Sequence, residues 1–145
     1  MTKPTLAFIT LFFATLISGC QSGPEAIVIG KDVCAYCKMT VSDVRFGGEI
    51  VTSKGKCYKF DDAKCLLNFM KESGNTNLSV KNIYFVNFVP EHTLIKKEEA
   101  FFIKTDSLKT PMGGNIAVFS SKEKMDEVRK EFDAKELTWD KLNKE

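Results

Sequence analysis

The sequence predicts an α+β fold, built as two small ββαβ-like modules packed together as one mature domain behind a lipoprotein signal peptide. Three observations predict it. An apolar N-terminal run ends in small residues and a cysteine, Cys20. Short β-branched and aromatic runs then alternate with stretches carrying a helical apolar stripe. The order strand, strand, helix, strand occurs twice along the remaining chain, shared as pattern and not as sequence.

The first element is the export signal. Lys3, the apolar run from Leu6 to Ile17 broken by Thr10 and Thr15, and the small pair Ser18-Gly19 give the charged, apolar and cleavage regions of a secretory peptide. The run is too short to span a bilayer, which takes roughly 20 apolar residues. Ile17-Ser18-Gly19-Cys20 resembles a bacterial lipobox, which implies cleavage before Cys20 and acylation of its thiol and amine. One lipid chain binds a membrane only marginally and two hold it, so the expected product is anchored to a membrane and does not cross it. Residues 1–19 are thus assigned to the signal and 20–30 to a lipidated N-terminus and tether. The periplasm is the expected location, and the absence of Asp at position 21 favours the outer membrane by analogy with Gram-negative sorting.

Removing the first nineteen residues leaves 126 of the 145, enough for one ordinary domain or two small modules sharing a core. Only Lys3 among the charged residues is lost, leaving 20 basic and 19 acidic side chains. That balance argues against a nucleic-acid partner, which would select a basic excess.

The first module is assigned to residues 31–90 and the second to 91–145. Ala26 to Ile29 reads as a short strand leading to the cysteines. Gly48-Glu49-Ile50-Val51 and Cys57-Tyr58-Lys59-Phe60 flank a Ser-Lys-Gly-Lys turn, the pattern of a hairpin. Asp61 or Asp62 can cap a helix whose stripe is Ala63, Leu66, Leu67 and Met70, ending at Gly74-Asn75. Residues 82–89 form an aromatic, β-branched strand stopped by Pro90. In the second module, strands are expected over 98–105 and 114–120. Ser120 and Glu123 make a capping box for a helix that buries Met125, Val128 and Phe132. A last strand or short helix surrounds Trp139.

The chemistry is concentrated in Cys34-Ala-Tyr-Cys37-Lys-Met39. Cys57 in a strand and Cys65 in the first turn of a helix read as small buried hydrophobes. Met70 and Met125 lie on helix stripes, and His92 follows Pro90-Glu91 in an exposed loop. For the C-x-x-C pair, zinc lacks a second pair or enough histidines. Haem attachment would need His where Lys38 stands. A thioredoxin-like redox pair would need a βαβ setting that the residues after Cys37 do not provide. Thiolate with thioether, as Cys37 and Met39 offer, selects Cu(I), which accepts two or three such ligands. A second methionine, Met112, lies in Pro111-Met112-Gly113-Gly114, a strand-connecting loop where it either tucks into the core or is displayed to a ligand.

Asp-Val-Cys-Ala-Tyr-Cys-Lys-Met, Lys-Cys-Tyr-Lys-Phe-Asp-Asp-Ala-Lys-Cys, Tyr-Phe-Val-Asn-Phe and Thr-Pro-Met-Gly-Gly-Asn, in this order behind a lipobox, resemble the NosL family of lipoprotein copper chaperones. The resemblance runs from about Cys34 to Trp139. It implies a non-enzymatic Cu(I) carrier that delivers copper to nitrous oxide reductase, with metal ligands at Cys37, Met39 and Met112 and an additional sulfur at Cys34. Two positions depart from the family: Lys38 stands where glycine is common, and Asn87 replaces an aspartate. The rival reading is a thiol-disulfide reductant acting through Cys34 and Cys37 on an exported copper-site protein.

Overall fold

The computed structural model describes residues 23–73 and 78–144. The signal segment, Cys20 and the expected helix stop at Gly74-Asn75 lie outside the described residues. The elements are β1 (Gly48–Thr52), β2 (Cys57–Phe60), α1 (Ala63–Ser73), β3 (Val80–Val86), β4 (Leu94–Lys96), β5 (Phe101–Lys104), β6 (Ile116–Phe119), α2 (Lys122–Glu131), β7 (Lys135–Leu137) and α3 (Trp139–Leu142). Two antiparallel sheets result, ordered β2-β1-β3-β4 and β6-β5-β7. In each, the first strand of a ββαβ unit lies between the second and the third, so the repeated pattern is a repeated topology.

Four details differ from the sequence reading. Residues 26–29 form no strand; a turn follows, with Gly30 at φ 73°. Side chains hold the segment instead: both Glu49 carboxylate oxygens accept from the Glu25 N–H at 3.0 and 3.1 Å, and Lys59 Nζ donates to the Ala26 carbonyl at 2.8 Å. The strand expected over 82–89 with Pro90 as its stop runs Val80–Val86 and ends before Pro90 is reached. Glu91 and His92, at φ 78° and 41°, turn the chain back so that β4 pairs with β3, placing residues 94–96 in the first sheet. Three residues are too few to show a period, so β4 has no signature of its own. The cap of α2 is Ser121, not Ser120: its Oγ accepts from the Lys124 N–H and donates to Glu123 at 2.5 Å. The strand expected from residue 98 begins at Phe101, after a short 3-10 turn over Lys97–Glu99.

Helix α1 packs against the first sheet through Leu66 and Leu67. The approach is close at Gly48, where a Cβ would stand 2.8 Å from Leu66 Cδ1 and 2.9 Å from the Tyr84 carbonyl. The two sheets meet through aromatic rings. Phe85 of β3 lies edge-on to Phe102 of β5 at 5.3 Å, and Trp139 of α3 packs within 6.0 Å of Phe85 and 6.3 Å of Phe102. Such pairs add ~1 kcal/mol each beyond the area they bury.

A second seam is polar. Asp62, almost completely buried, caps α1 by accepting the Lys64 N–H on Oδ1 at 2.8 Å. Its Oδ2 reaches across to the second module and accepts the Met112 N–H at 2.9 Å and the Gly114 N–H at 3.5 Å. Asp62→Ala removes a cap worth ~1 kcal/mol and strands buried donors at ~1–3 kcal/mol. We therefore expect about 2–4 kcal/mol of destabilisation in chemical denaturation. Asp62→Asn, which keeps an acceptor oxygen, should lose roughly half of that. An alanine variant as stable as the parent would show that the carboxylate does not join the modules.

Candidate metal centre

Residues 32–41 form a loop closed by its own backbone. Val33 and Thr40 make an isolated bridge, and the Val41 N–H donates to the Asp32 carbonyl at 2.9 Å. Inside it, the Cys34 N–H donates to the Met39 carbonyl at 2.8 Å and the Lys38 N–H to the Cys34 carbonyl at 3.1 Å. This single turn brings Cys34 and Cys37 to one side, and it closes at Lys38 with φ 66°. Glycine reaches that region freely, whereas a residue with a side chain loses ~1–2 kcal/mol there. Lys38, where the resemblance led to an expectation of glycine, therefore stands at a position with a conformational reason for glycine. Lys38 Nζ donates to the Ala35 carbonyl at 2.5 Å, and the Ala35 N–H donates to the Lys59 carbonyl at 2.7 Å, which hangs the loop on β2.

The loop presents its thiols to the junction of β2 and α1. There the ligand atoms of Cys34, Cys37, Asp61 and Cys65 all lie within 4.8 Å of one another. Cys37 Sγ stands 3.7 and 3.6 Å from the two Asp61 carboxylate oxygens. Cys34, Asp61 and Cys65 are buried and Cys37 is half-buried. All four described cysteines are free thiols.

Two members of this group escaped the sequence reading. Asp61 was one of two candidate caps; Asp62 takes that role and leaves Asp61 to face the thiols. Cys65 is buried, as expected of a core residue, but its neighbours are sulfur and carboxylate. Asp61 immediately precedes the capping Asp62 and Cys65 lies in the first turn of α1; an acid at a helix start with a cysteine four residues on, opposite a C-x-x-C loop, was the available signal.

The methionines stand differently. Met112 is half-buried and, like Cys37, packs against the large hydrophobic core to which Cys34 and Cys65 belong. Met39 is 54% exposed on the cysteine loop. Cys57 belongs to another environment, the buried Glu49 beside the N-terminal segment, with its Sγ 3.9 Å from the Gly23 carbonyl. His92 is half-buried and not exposed as expected, with Nδ1 3.0 Å from the Asn87 carbonyl. Asn87 is a joint between modules: its Nδ2 donates to Ser120 Oγ at 3.1 Å.

The NosL family model matches residues 26–145. The chain belongs to the NosL family. Its fold is also that of the crystal structure of the copper chaperone NosL from Shewanella denitrificans, with a TM-score of 0.68, 22% identity, and coverage of 82% of this chain and 94% of that one. No curated protein matches the chain.

The thiols of this NosL-family site are electrostatically unequal. A hydrogen bond from the Cys65 thiol, helped by the Asp61 and Cys37 backbone N–H groups, lowers Cys34 to about 6 against the opposing effect of burial. Donating to Cys34, together with burial, pushes Cys65 far up. Burial also raises Cys37, reinforced by Cys34 and Asp61. Burial and Glu49 push Cys57 up to about 12. Within the group, Cys34 is the thiol biased towards the thiolate, with Cys37 and Cys65 biased towards the thiol.

Two predictions follow from the loop and its thiols. The depressed Cys34 value means that the unfolded chain binds more protons between pH 6 and 9. Stability should rise with pH across that window and be lost as pH falls through about 6. Above about 9, the raised Cys37, Cys57 and Cys65 thiols should reverse the slope. Ultraviolet thiolate absorbance of the metal-free chain should show one group titrating near 6 that disappears in Cys34→Ala. A titration with no thiolate below the ordinary range contradicts this arrangement. Separately, Lys38→Gly should raise stability by ~1 kcal/mol in denaturant, through release of the left-handed backbone. A destabilised glycine variant would mean that the Lys38–Ala35 hydrogen bond outweighs that strain.

Proposed function

We propose that the chain is a Cu(I)-carrying chaperone, not an enzyme, anchored through acylated Cys20 in the periplasm and delivering its metal to nitrous oxide reductase. The observation that carries this is the convergence of three cysteine sulfurs and one carboxylate, from the cysteine loop and the start of α1, with Cys34 biased towards thiolate. Soft sulfur donors favour Cu(I) over harder divalent ions. A low-coordinate ion can be held by Cys34, Cys37 and Cys65 and still pass to another ligand set. Met112, packed against the core that holds Cys34 and Cys65, and Met39, exposed on the cysteine loop, would supply the thioethers for loading and release. Family membership, and the copper chaperone of like fold, support the cargo. The client and the outer-membrane anchor rest on the resemblance and the lipobox.

The rival disulfide-exchange reading fits the thiols less well. A reactive attacking cysteine combines a low pKa with exposure. Here those properties are divided: Cys34 is low but fully buried, while the accessible Cys37 is raised.

The test is a Cu(I) titration of the reduced full chain in neutral detergent, competed against a high-affinity Cu(I) chelator and repeated with Zn(II). Tight Cu(I) binding should be abolished in Cys37→Ser and in Cys34→Ser. Asp61→Asn, which alters only the carboxylate beside the thiols, should weaken it on the order of 10-fold. Met112→Leu should speed release without unfolding the chain, and Met39→Leu should slow loading. Failure of the parent chain to compete, or preference for Zn(II), would sink the Cu(I) assignment. With binding secure, metal transfer to metal-free nitrous oxide reductase tests the client.

A further inference from the structure

Strand β2 alternates its side chains between the two faces of the first sheet. Tyr58 and Phe60 pack on Phe69 of α1, with ring centroids 5.0 and 5.2 Å away, so Lys59 points to the opposite face. Its side chain is only 15% exposed there. An ammonium taken that far from water needs acceptors, and Nζ has them. It donates to the Ala26 carbonyl at 2.8 Å and to Asp32 Oδ2 at 3.0 Å, and a Glu25 carboxylate oxygen stands 3.5 Å away. Glu25 and Ala26 belong to the N-terminal segment. Asp32 belongs to the neck of the cysteine loop: its carbonyl accepts the Val41 N–H at 2.9 Å and its Oδ2 the Val28 N–H at 2.6 Å. The main chain of Lys59 holds the same loop. Strand β2 is an edge strand, and the Lys59 carbonyl accepts the Ala35 N–H at 2.7 Å.

We propose that Lys59 is a positioning residue of the metal centre, pinning the cysteine loop at two points and so holding Cys34 and Cys37 against Asp61 and Cys65. A loop attached at one point can pivot; a second attachment fixes its orientation. The two points are distinct, since Asp32 precedes the C-x-x-C pair and Ala35 lies within it. Both lead to one residue, and the chain runs from that residue through Phe60 directly to Asp61 and the first turn of α1. The pins and the other half of the site therefore share one short stretch of backbone. Lys59 acts on the geometry of the donors and is not one of them. The inference rests on the chaperone reading for its effect on copper, while the pinning itself can be tested without metal.

The test is amide hydrogen exchange in the reduced, metal-free full chain in neutral detergent, comparing the parent with Lys59→Met, Asp32→Asn and Ile103→Val. Methionine keeps most of the stem and removes the ammonium. Ile103→Val trims the other core cluster and serves as a control of lowered stability. In Lys59→Met the Cys34, Ala35 and Val41 amides should exchange on the order of tenfold faster relative to those of β3, as expected for a lost charge-assisted hydrogen bond. Asp32→Asn, which leaves the ammonium its other acceptors, should do the same to a smaller degree. Ile103→Val should keep the parent's ratio of loop to β3 exchange. Bound Cu(I) should pass to a competing chelator on the order of tenfold faster from Lys59→Met than from the parent. The double variant should release it no faster than Lys59→Met, because both changes cut the same contact. An unchanged exchange ratio, an equal change in Ile103→Val, or full additivity of the Lys59 and Asp32 effects overturns the proposal. A loosened loop with unchanged Cu(I) release also overturns it, since Lys59 would then support the fold alone. A loosened loop in a chain whose parent binds no Cu(I) would instead retain the pin and reject the chaperone reading.

Discussion

The Asp61-Asp62 pair at the start of α1 organises both the fold and the site. The chain passes there from strand to helix, and consecutive side chains leave in different directions. Asp62 turns inward to satisfy the helix N-terminus and, with its second oxygen, the backbone of the Pro-Met-Gly-Gly loop. Asp61 turns to the thiols of the cysteine loop. Both are buried, so each needs the partners it has. Two adjacent carboxylates thereby fix the two loops that carry the sulfur residues relative to one helix.

Much of the architecture was legible because it is written in periods. The alternation around Ile50 and Tyr58, the aromatic strand ending at Val86 and the helical stripe of Ala63, Leu66 and Leu67 each persist long enough to name an element. What was not legible lacks a period. Strand β4 has three residues and exists because Glu91 and His92 adopt left-handed backbone. Residues 26–29 have strand composition, yet the Glu49 and Lys59 side chains hold that segment in place of a ladder.

The candidate site divides along the same line. Cys34 and Cys37 are close in sequence, and their spacing already implied a turn that joins two sulfurs. Asp61 and Cys65 become their neighbours only after the cysteine loop hangs on β2 through Ala35 and Lys59, a contact between residues 24 apart. No local pattern records that contact. The choice between Asp61 and Asp62 as the cap was equally undecidable from composition, because either carboxylate can cap a helix. The one not used as a cap becomes the acid in the sulfur cluster.

The exposure gradient across the cluster bears on how a metal would be exchanged. Cys34 and Cys65 are closed off from solvent, and Cys37 is the member that reaches it. An incoming ion must therefore meet Cys37 before the buried pair, and a receiving ligand must approach along the same side. The order of thiol acidities runs the other way, lowest at Cys34 and raised at Cys37. A soft cation bound there would pass from a weakly nucleophilic entrance towards the buried thiol of lowest pKa, an order that would favour retention over casual loss. Release then requires something that loosens the interior from outside. The Met112 loop packs against the hydrophobic core that holds Cys34 and Cys65, and its backbone is tied to Asp62 and Lys64. Asp62 is sealed inside the fold, whereas Lys64 is exposed. The loop's hold on the fold therefore lies with the carboxylate.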